Sequence, residues 1–286
     1  MNWNSDDRIE NILKRQNKDG GWSYTRGASW TEPTVYAALA LKACSADRAA
    51  GVRALQWIAR RQLQDGGLSP YASVEQSTWV TSLVLLLSPE DFESHCYRNA
   101  LNWVLRQTGQ ETDWMYRLRL RLTSQEDRYQ ISGWPWFPGA ASWVSPTSAA
   151  IVGLRRAHSY SGDAAIARRI EEGQRYLVMH TCADGGWNHG GERALGYNAE
   201  SYPETTGAAL LALRGAPRAT LAASIRRARI LAETCSFSEG ASWLRMGLAA
   251  QGETLPEKST LGKPRNLRDQ CLEVLSHLVA EGAIEL

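Results

Sequence analysis

The sequence predicts an all-α fold: a single α/α toroid of five to six helical hairpins, with apolar inner helices ringed by amphipathic outer ones. Three observations lead there. An Asp-Gly-Gly turn recurs in "RQNKDGGWSY" (Arg15 to Tyr24), "RQLQDGGLSPY" (Arg61 to Tyr71) and "HTCADGGWNHG" (His180 to Gly190), and such self-similarity marks a stack of like supersecondary units. Before each turn lies an arginine-bearing helical pattern, and after it an alanine- and leucine-rich pattern that is apolar nearly all round. The first suits a helix with one face in water, the second a helix buried on most sides. No strand pattern of any length competes.

The elements follow in order. "PTVYAALALKA" (Pro33 to Ala43) reads as the first inner helix. "AGVRALQWIARRQ" (Ala50 to Gln62) sets Val52, Leu55 and Ile58 on one side at a spacing of three, as an outer helix should. "STWVTSLVLLL" (Ser77 to Leu87), "PTSAAIVGLRRA" (Pro146 to Ala157) and "TTGAALLALRGA" (Thr205 to Ala216) are the next inner helices. A worn relative of the turn, "ISGWPWFPG" (Ile131 to Gly139), precedes the second of these. The outer pattern "ASIRRARILAETC" (Ala223 to Cys235) leads into a fifth inner helix, "EGASWLRMGLAAQG" (Glu239 to Gly252). The repeats are clearest over residues 8–252, and 253–286 reads as a closing helix, so 1–286 is expected to form one domain. Inner helices this uniformly apolar would line an open, wet groove poorly, which favours closure over an open solenoid.

Composition narrows the function classes. A net charge of +2 over 286 residues argues against bulk capture of nucleic acid. The longest apolar run, "WVTSLVLLL" (Trp79 to Leu87), is far too short to span a bilayer. The polar, acidic start "MNWNSDDRIENILKRQ" is unlike a secretory leader. Five cysteines without a C-x-x-C pair read as reduced thiols of a cytoplasmic protein. Twelve tryptophans against three phenylalanines are the compositional oddity.

The inner helices share a start. Aligned on their leucines, Thr34, Thr78, Thr147 and Thr206 fall in register, and two residues earlier stand Glu32, Gln76, Ser145 and Glu204, with Glu239 in the fifth hairpin. Pro33 and Pro146 suit a first helical position, so this column is expected to be the N-cap. Serine is an ordinary cap and glutamate a mediocre one, yet glutamate fills three of the five places. Inner helices run parallel, so their N-termini should gather Glu32, Glu204 and Glu239 at one mouth. A helix N-terminus favours the carboxylate, whereas burial and mutual repulsion favour the acid.

From Arg53 to Gly67 the chain reads Arg-Ala-x-x-Trp-Ile-x-x-x-Gln-x-x-x-Gly-Gly. This resembles the QW repeat of squalene–hopene and oxidosqualene cyclases, and the related toroid of protein prenyltransferase β subunits. The final tryptophan is Leu68 here but Trp22 and Trp187 in the sister repeats, and the resemblance covers about residues 8–252. It implies that Gln16, Trp22, Trp57, Gln62 and Trp187 are structural staples. It also implies a class II terpene cyclase-like enzyme, of isomerase or lyase type, working on an isoprenoid in an aromatic-lined cavity. The family's Asp-x-Asp-Asp acid motif maps onto Trp30-Thr31-Glu32-Pro33 and Tyr202-Pro203-Glu204-Thr205, keeping only its middle carboxylate. Glu204 is then the first choice of acid and Glu32 the second, with Glu239 in the same column and Glu200 able to relay a proton. Trp30, Trp143, Trp134, Trp136, Phe137 and Tyr202 are the candidate substrate-binding aromatics, able to stabilise a cation by about 2 kcal/mol each when desolvated; plugging the toroid's hole is the competing role for Trp134 and Trp136.

Two classes remain: that enzyme, or a non-catalytic toroid that carries a lipid or partners a second toroid, as a homo-oligomer or as a prenyltransferase-like subunit. "YRLRLRL" (Tyr116 to Leu122) reads as a cover helix, an exposed strand, or a diphosphate-binding set of Arg117, Arg119 and Arg121. "ETCSFSEGASW" (Glu233 to Trp243) faintly resembles the prenyltransferase zinc segment, and Asp269, Cys271 and His277 supply no clear third ligand. No cofactor is expected. Elemental analysis of the purified protein should find no stoichiometric zinc; one equivalent, lost on Cys235→Ser, would refute this.

Overall fold

The computed structural model describes residues 5–92, 95–112, 131–190, 200–255 and 262–286; the Tyr116–Leu122 segment lies outside them. Six inner helices form a closed ring: α2 (Thr31–Ala43), α4 (Thr81–Val84), α6 (Val144–Ser161), α8 (Pro203–Ala212), α10 (Ser238–Ala250) and α11 (Leu267–Ala280), with α11 packed back against α2. Outside them lie α1 (Ser5–Lys14), α3 (Arg48–Arg60), α5 (Cys96–Arg106), α7 (Ala164–Met179) and α9 (Arg218–Thr234). The fold is an α/α toroid. Inner helices are buried on nearly every side, α2 continuously from Thr31 to Leu41. Outer helices bury one stripe, as α3 does with Ala50, Ala54, Trp57 and Ile58. No described helix is long and apolar enough to cross a membrane, and no disulfide joins the five cysteines.

The Asp-Gly-Gly turn explains why the hairpins repeat. Its first glycine takes a left-handed conformation, φ +98° at Gly20 and +89° at Gly66, which a side chain would strain. Its aspartate then gathers donors from three directions. Asp65 accepts from the Gly67 amide at 3.0 Å, the Ser77 hydroxyl at 2.7 Å, and Trp103 Nε1 of the next outer helix at 2.9 Å. Asp19 does the same with Gly21, Ser29 and Trp57, while at Asp184 the tryptophan's place is taken by Arg227 at 3.0 Å. Gln16 and Gln62 donate across to the Ala50 and Cys96 carbonyls. Trp22 and Trp187 tie back to Ile12 and Leu177. All five sequence-predicted staples make bonds of this kind.

A second set of bonds laces the inner ring. The first-turn amide of one inner helix donates to a carbonyl just beyond the turn of the next repeat: Thr31 to Pro70, Trp79 to Trp136, Val144 to His189. Leu267 of α11 donates at 2.8 Å to Tyr24 of the first repeat, which closes the circle. Pro203 starts α8 and has no amide to give. There α8 and α10 instead touch backbone to backbone: a Cβ on Gly207 would collide with the Trp243 carbonyl, and one on Gly247 with the Gly207 carbonyl.

Three details differ from the sequence expectation. The threonine whose hydroxyl accepts the amide after the Gly-Gly pair is Thr34, Thr147 and Thr206 in three repeats, but Thr81 in the second, not Thr78. That shift puts Trp79, not the exposed Gln76, in the glutamate column. The Ser77–Leu87 segment is α-helical only over Thr81–Val84, flanked by i→i+3 turns such as Leu86 to Leu83. The N-caps are Trp30, Trp143, Tyr202 and Phe237, none with a side-chain cap bond; behind Trp30 and Trp143 the lacing bonds take up the first amide instead. Glu32, Ser145, Glu204 and Glu239 therefore occupy the second helical position, and Pro33 and Pro146 the third. A two-residue antiparallel pair, β1 (Trp134–Pro135) with β2 (Ser142–Trp143), accompanies the worn turn.

Asp65→Ala strands one amide, one hydroxyl and one indole N–H. Urea denaturation should show a loss of about 3 kcal/mol, in the range for bonds to a charged acceptor; a loss below about 1 kcal/mol would mean the turn holds without its aspartate.

Candidate functional site

One cavity of about 300 Å³ opens at the N-terminal end of the inner ring. Helical spacing sorts its lining into layers. The mouth layer is Glu32, Trp79, Ser145, Glu204, Glu239 and Arg268, one residue from each inner segment. One turn deeper stand Tyr36, Leu83, Ala149, Ala208, Trp243 and Leu272. The floor is Leu86, Val152, Leu211, Met246 and Leu275, with Leu286 from the chain's last turn. Trp136 and His189, from the post-turn positions whose carbonyls accept the lacing bonds, complete the mouth.

A larger hollow of about 860 Å³ flanks α2 and α3. Its charges serve the fold: Lys42 pairs with Asp91 at 2.7 Å, and Asp47 caps α3 through the Ala50 amide. Converging acids occur only at the ring's mouth among these two lined hollows.

There, one guanidinium serves three carboxylates. Arg268 lies 2.5 Å from Glu239, 3.1 Å from Asp269 and 3.5 Å from Glu32. Burial opposes its charge, but Glu32, Glu239 and Asp269 more than offset this and raise its pKa. Glu32 also accepts a bond from the Tyr24 hydroxyl. Burial, then the Glu32 charge, push the hydroxyls of Tyr24 and Tyr36 well above the ordinary tyrosine value. Glu239 is raised above the usual 4.5: burial dominates, Arg268 opposes, and Asp269 and Glu204 add repulsion. Among the described residues, no lysine or arginine pairs with Glu204. Its Oε1 lies 3.7 Å from His189 Nε2, and its Oε2 is buried without a hydrogen-bond partner. Crowding of carboxylates about a single arginine thus adds to burial in raising the cost of charging Glu239.

The structure thus brings Glu32, Glu204, Glu239 and Trp136 to the cavity, and leaves the other sequence candidates outside it. Glu200 is exposed and does not line the cavity. Phe137 and Tyr202 are also exposed, at 47% and 45%. Trp134 is fully buried in the shell, bonded to the Val104 carbonyl under the Arg169 guanidinium. Trp30 packs between Tyr24 and Tyr71, and Trp143 lies against Gly190; neither lines the cavity. Ser145, expected to be a cap alone, lines the mouth. Sequence reasoning missed Tyr36 and Trp243, each four residues beyond a column glutamate; Trp79, hidden by the threonine shift; and Arg268, at the column position of a sixth helix that has no glycine turn before it.

No family model and no curated protein matches the chain. Solved structures do. An endo-beta-1,4-glucanase from Acetobacter xylinum aligns at 14% identity and TM-score 0.60, over 98% of this chain and 99% of that one. A GH76 alpha-mannanase from Bacteroides thetaiotaomicron aligns at 10% and 0.59, over 97% and 95%. A protein from Actinoplanes aligns at 18% and 0.54, over 97% and 79%. At these identities the likeness shows the fold. It also overturns the terpene cyclase and prenyltransferase resemblance, since the toroids matched along nearly the whole chain include a glucanase and a mannanase. The isoprenoid substrate, the isomerase or lyase chemistry, and the lipid-carrier, scaffold and prenyltransferase alternatives are withdrawn with it. The physical reason is visible in the turns: the QW residues are consumed by backbone and inter-helix bonds, so the motif reports the toroid and is silent on its chemistry.

With its folded pKa above the unfolded one, Glu239 stabilises the fold when protonated; that contribution is complete below about pH 4.3 and fades as pH rises through the folded value. Urea midpoints of wild type and Glu239→Gln, compared from about pH 4.5 to 7, should show wild type losing stability relative to the variant. Parallel profiles would refute a raised Glu239.

Proposed function

We propose that this chain hydrolyses a glycosidic bond, with Glu239 as general acid and Glu204 as general base. The observation that carries this is the pair itself: two carboxylates on adjacent inner helices at the mouth of one cavity, Glu239 with its pKa raised by burial and Glu204 with no lysine or arginine beside it among the described residues. A carboxyl whose surroundings raise its pKa suits the acid's role, and a second carboxylate facing the same cavity suits the base's. The shared toroid of the glucanase and the mannanase supports the same reading by analogy.

The steps follow from the placement. Glu239 gives its proton to the glycosidic oxygen as the bond to the anomeric carbon breaks. Glu204 takes a proton from the water that attacks that carbon, and its charge stabilises the oxocarbenium-like transition state. Arg268 holds Glu239 and Glu32 in place, with Tyr24 fixing Glu32 from the other side. Trp79 and Trp136 meet edge to face with ring centres 5.1 Å apart, and offer flat apolar surfaces for the C–H face of a sugar ring. A cavity of about 300 Å³ lies at the small end of ligand sites, about 300–1,000 Å³. It fits a small glycoside or a chain end, not several consecutive sugars.

A panel of aryl glucosides and mannosides with matching oligosaccharides tests this. Wild type should release reducing sugar, and Glu239→Gln and Glu204→Gln should each lower kcat by about 10²–10⁴-fold, the range for a lost acid or base. No release from any member of the panel, or turnover that survives both substitutions, would end the proposal.

A further inference from the structure

The cavity is two-sided in a way that a polysaccharide site would not need. Every charged side chain of the lining lies in the mouth layer or beside it, whereas the side chains of the floor are all apolar: Leu86, Val152, Leu211, Met246, Leu275 and Leu286. Between them the Tyr36 and Ser148 hydroxyls are the deepest oxygens on side chains of the wall. A sugar pushed to the floor would strand its hydroxyls, and unpaired buried hydroxyls cost about 1–3 kcal/mol each. The scissile bond must lie level with Glu239 and Glu204. One side of that bond therefore faces outward past Trp79 and Trp136, and the other faces down into leucine.

We infer that the substrate is a glycoside with an apolar aglycone, its sugar held at the mouth and its alkyl or aryl group buried on the floor. The inference takes the sugar's place from the hydrolase reading; the apolar subsite itself stands on the lining alone. Specificity then lies in the length and bulk of the aglycone more than in the sugar's hydroxyl pattern.

Calorimetric titration of the full chain with methyl, butyl and hexyl glucosides and mannosides tests this without turnover. Each methylene that reaches the floor should tighten binding about fourfold, with the gain ending once the depth is filled. Leu211→Trp, which fills the floor, should abolish the gain; circular dichroism checks that it folds, and the wild-type series stands alone if it does not. Equal affinity for methyl and hexyl glycosides, no binding by either, or a chain-length preference unchanged in a folded Leu211→Trp protein would overturn the inference. Long-chain preference without cleavage of any glycoside would sink the hydrolase and keep the apolar subsite. Cleavage without chain-length preference would do the reverse.

Discussion

The ring depends on one repeated bond, the donation from the first turn of an inner helix to a carbonyl beyond the next repeat's turn. An α-helix begins with amides that have no partner inside it, and this chain spends them on the neighbouring repeat. The choice has two effects. It frees the cap position from capping in α2 and α6, so Trp30 can pack between Tyr24 and Tyr71, and Trp143 against Gly190. It also pulls the post-turn residues against the mouth, which is how Trp136 and His189 reach the cavity. Closure by Leu267 onto Tyr24 then fixes the hole's width, since a ring with both ends joined cannot open by sliding one repeat.

The architecture was legible because it is written in residues that only one local conformation suits. Gly20, Gly66 and Gly185 need positive φ, and the aspartate before each accepts from its turn, so Asp-Gly-Gly announces a hairpin. Alanine and leucine on all sides of a helix announce burial. The glutamate column was legible for the same reason of periodicity. What escaped reading depended on exact register or on distance in the chain. Thr78 and Thr81 are both plausible partners for the post-turn amide, and only the fold shows that Thr81 is used. Arg268 is remote in sequence from Glu32 and has no turn to flag it, yet it becomes the charge around which the mouth is organised.

The chemical assignment failed for a different reason. The Gln and Trp residues of the repeat look like a functional motif because they are distinctive, but their bonds end on the Gly20, Gly66, Ile12 and Leu177 carbonyls and on Asp19. A motif whose every polar atom is taken up by the scaffold has nothing left to offer a substrate. The atoms with capacity to spare are elsewhere, in Glu204 and the crowded carboxylates about Arg268.

The Gly207–Gly247 contact bears on this in a further way. Glu204 lies on α8 and Glu239 on α10, and these are the helices that meet with no side chain between them. The glycines thus act as a spacer of zero thickness beneath the two acids. In glycoside hydrolysis a carboxyl separation of about 5–5.5 Å leaves the anomeric configuration retained, and about 6.5–9.5 Å inverts it. In the proposed hydrolase, whose Glu204 activates a water and so inverts, a single methyl group at this seam would alter the spacing that leaves room for that water.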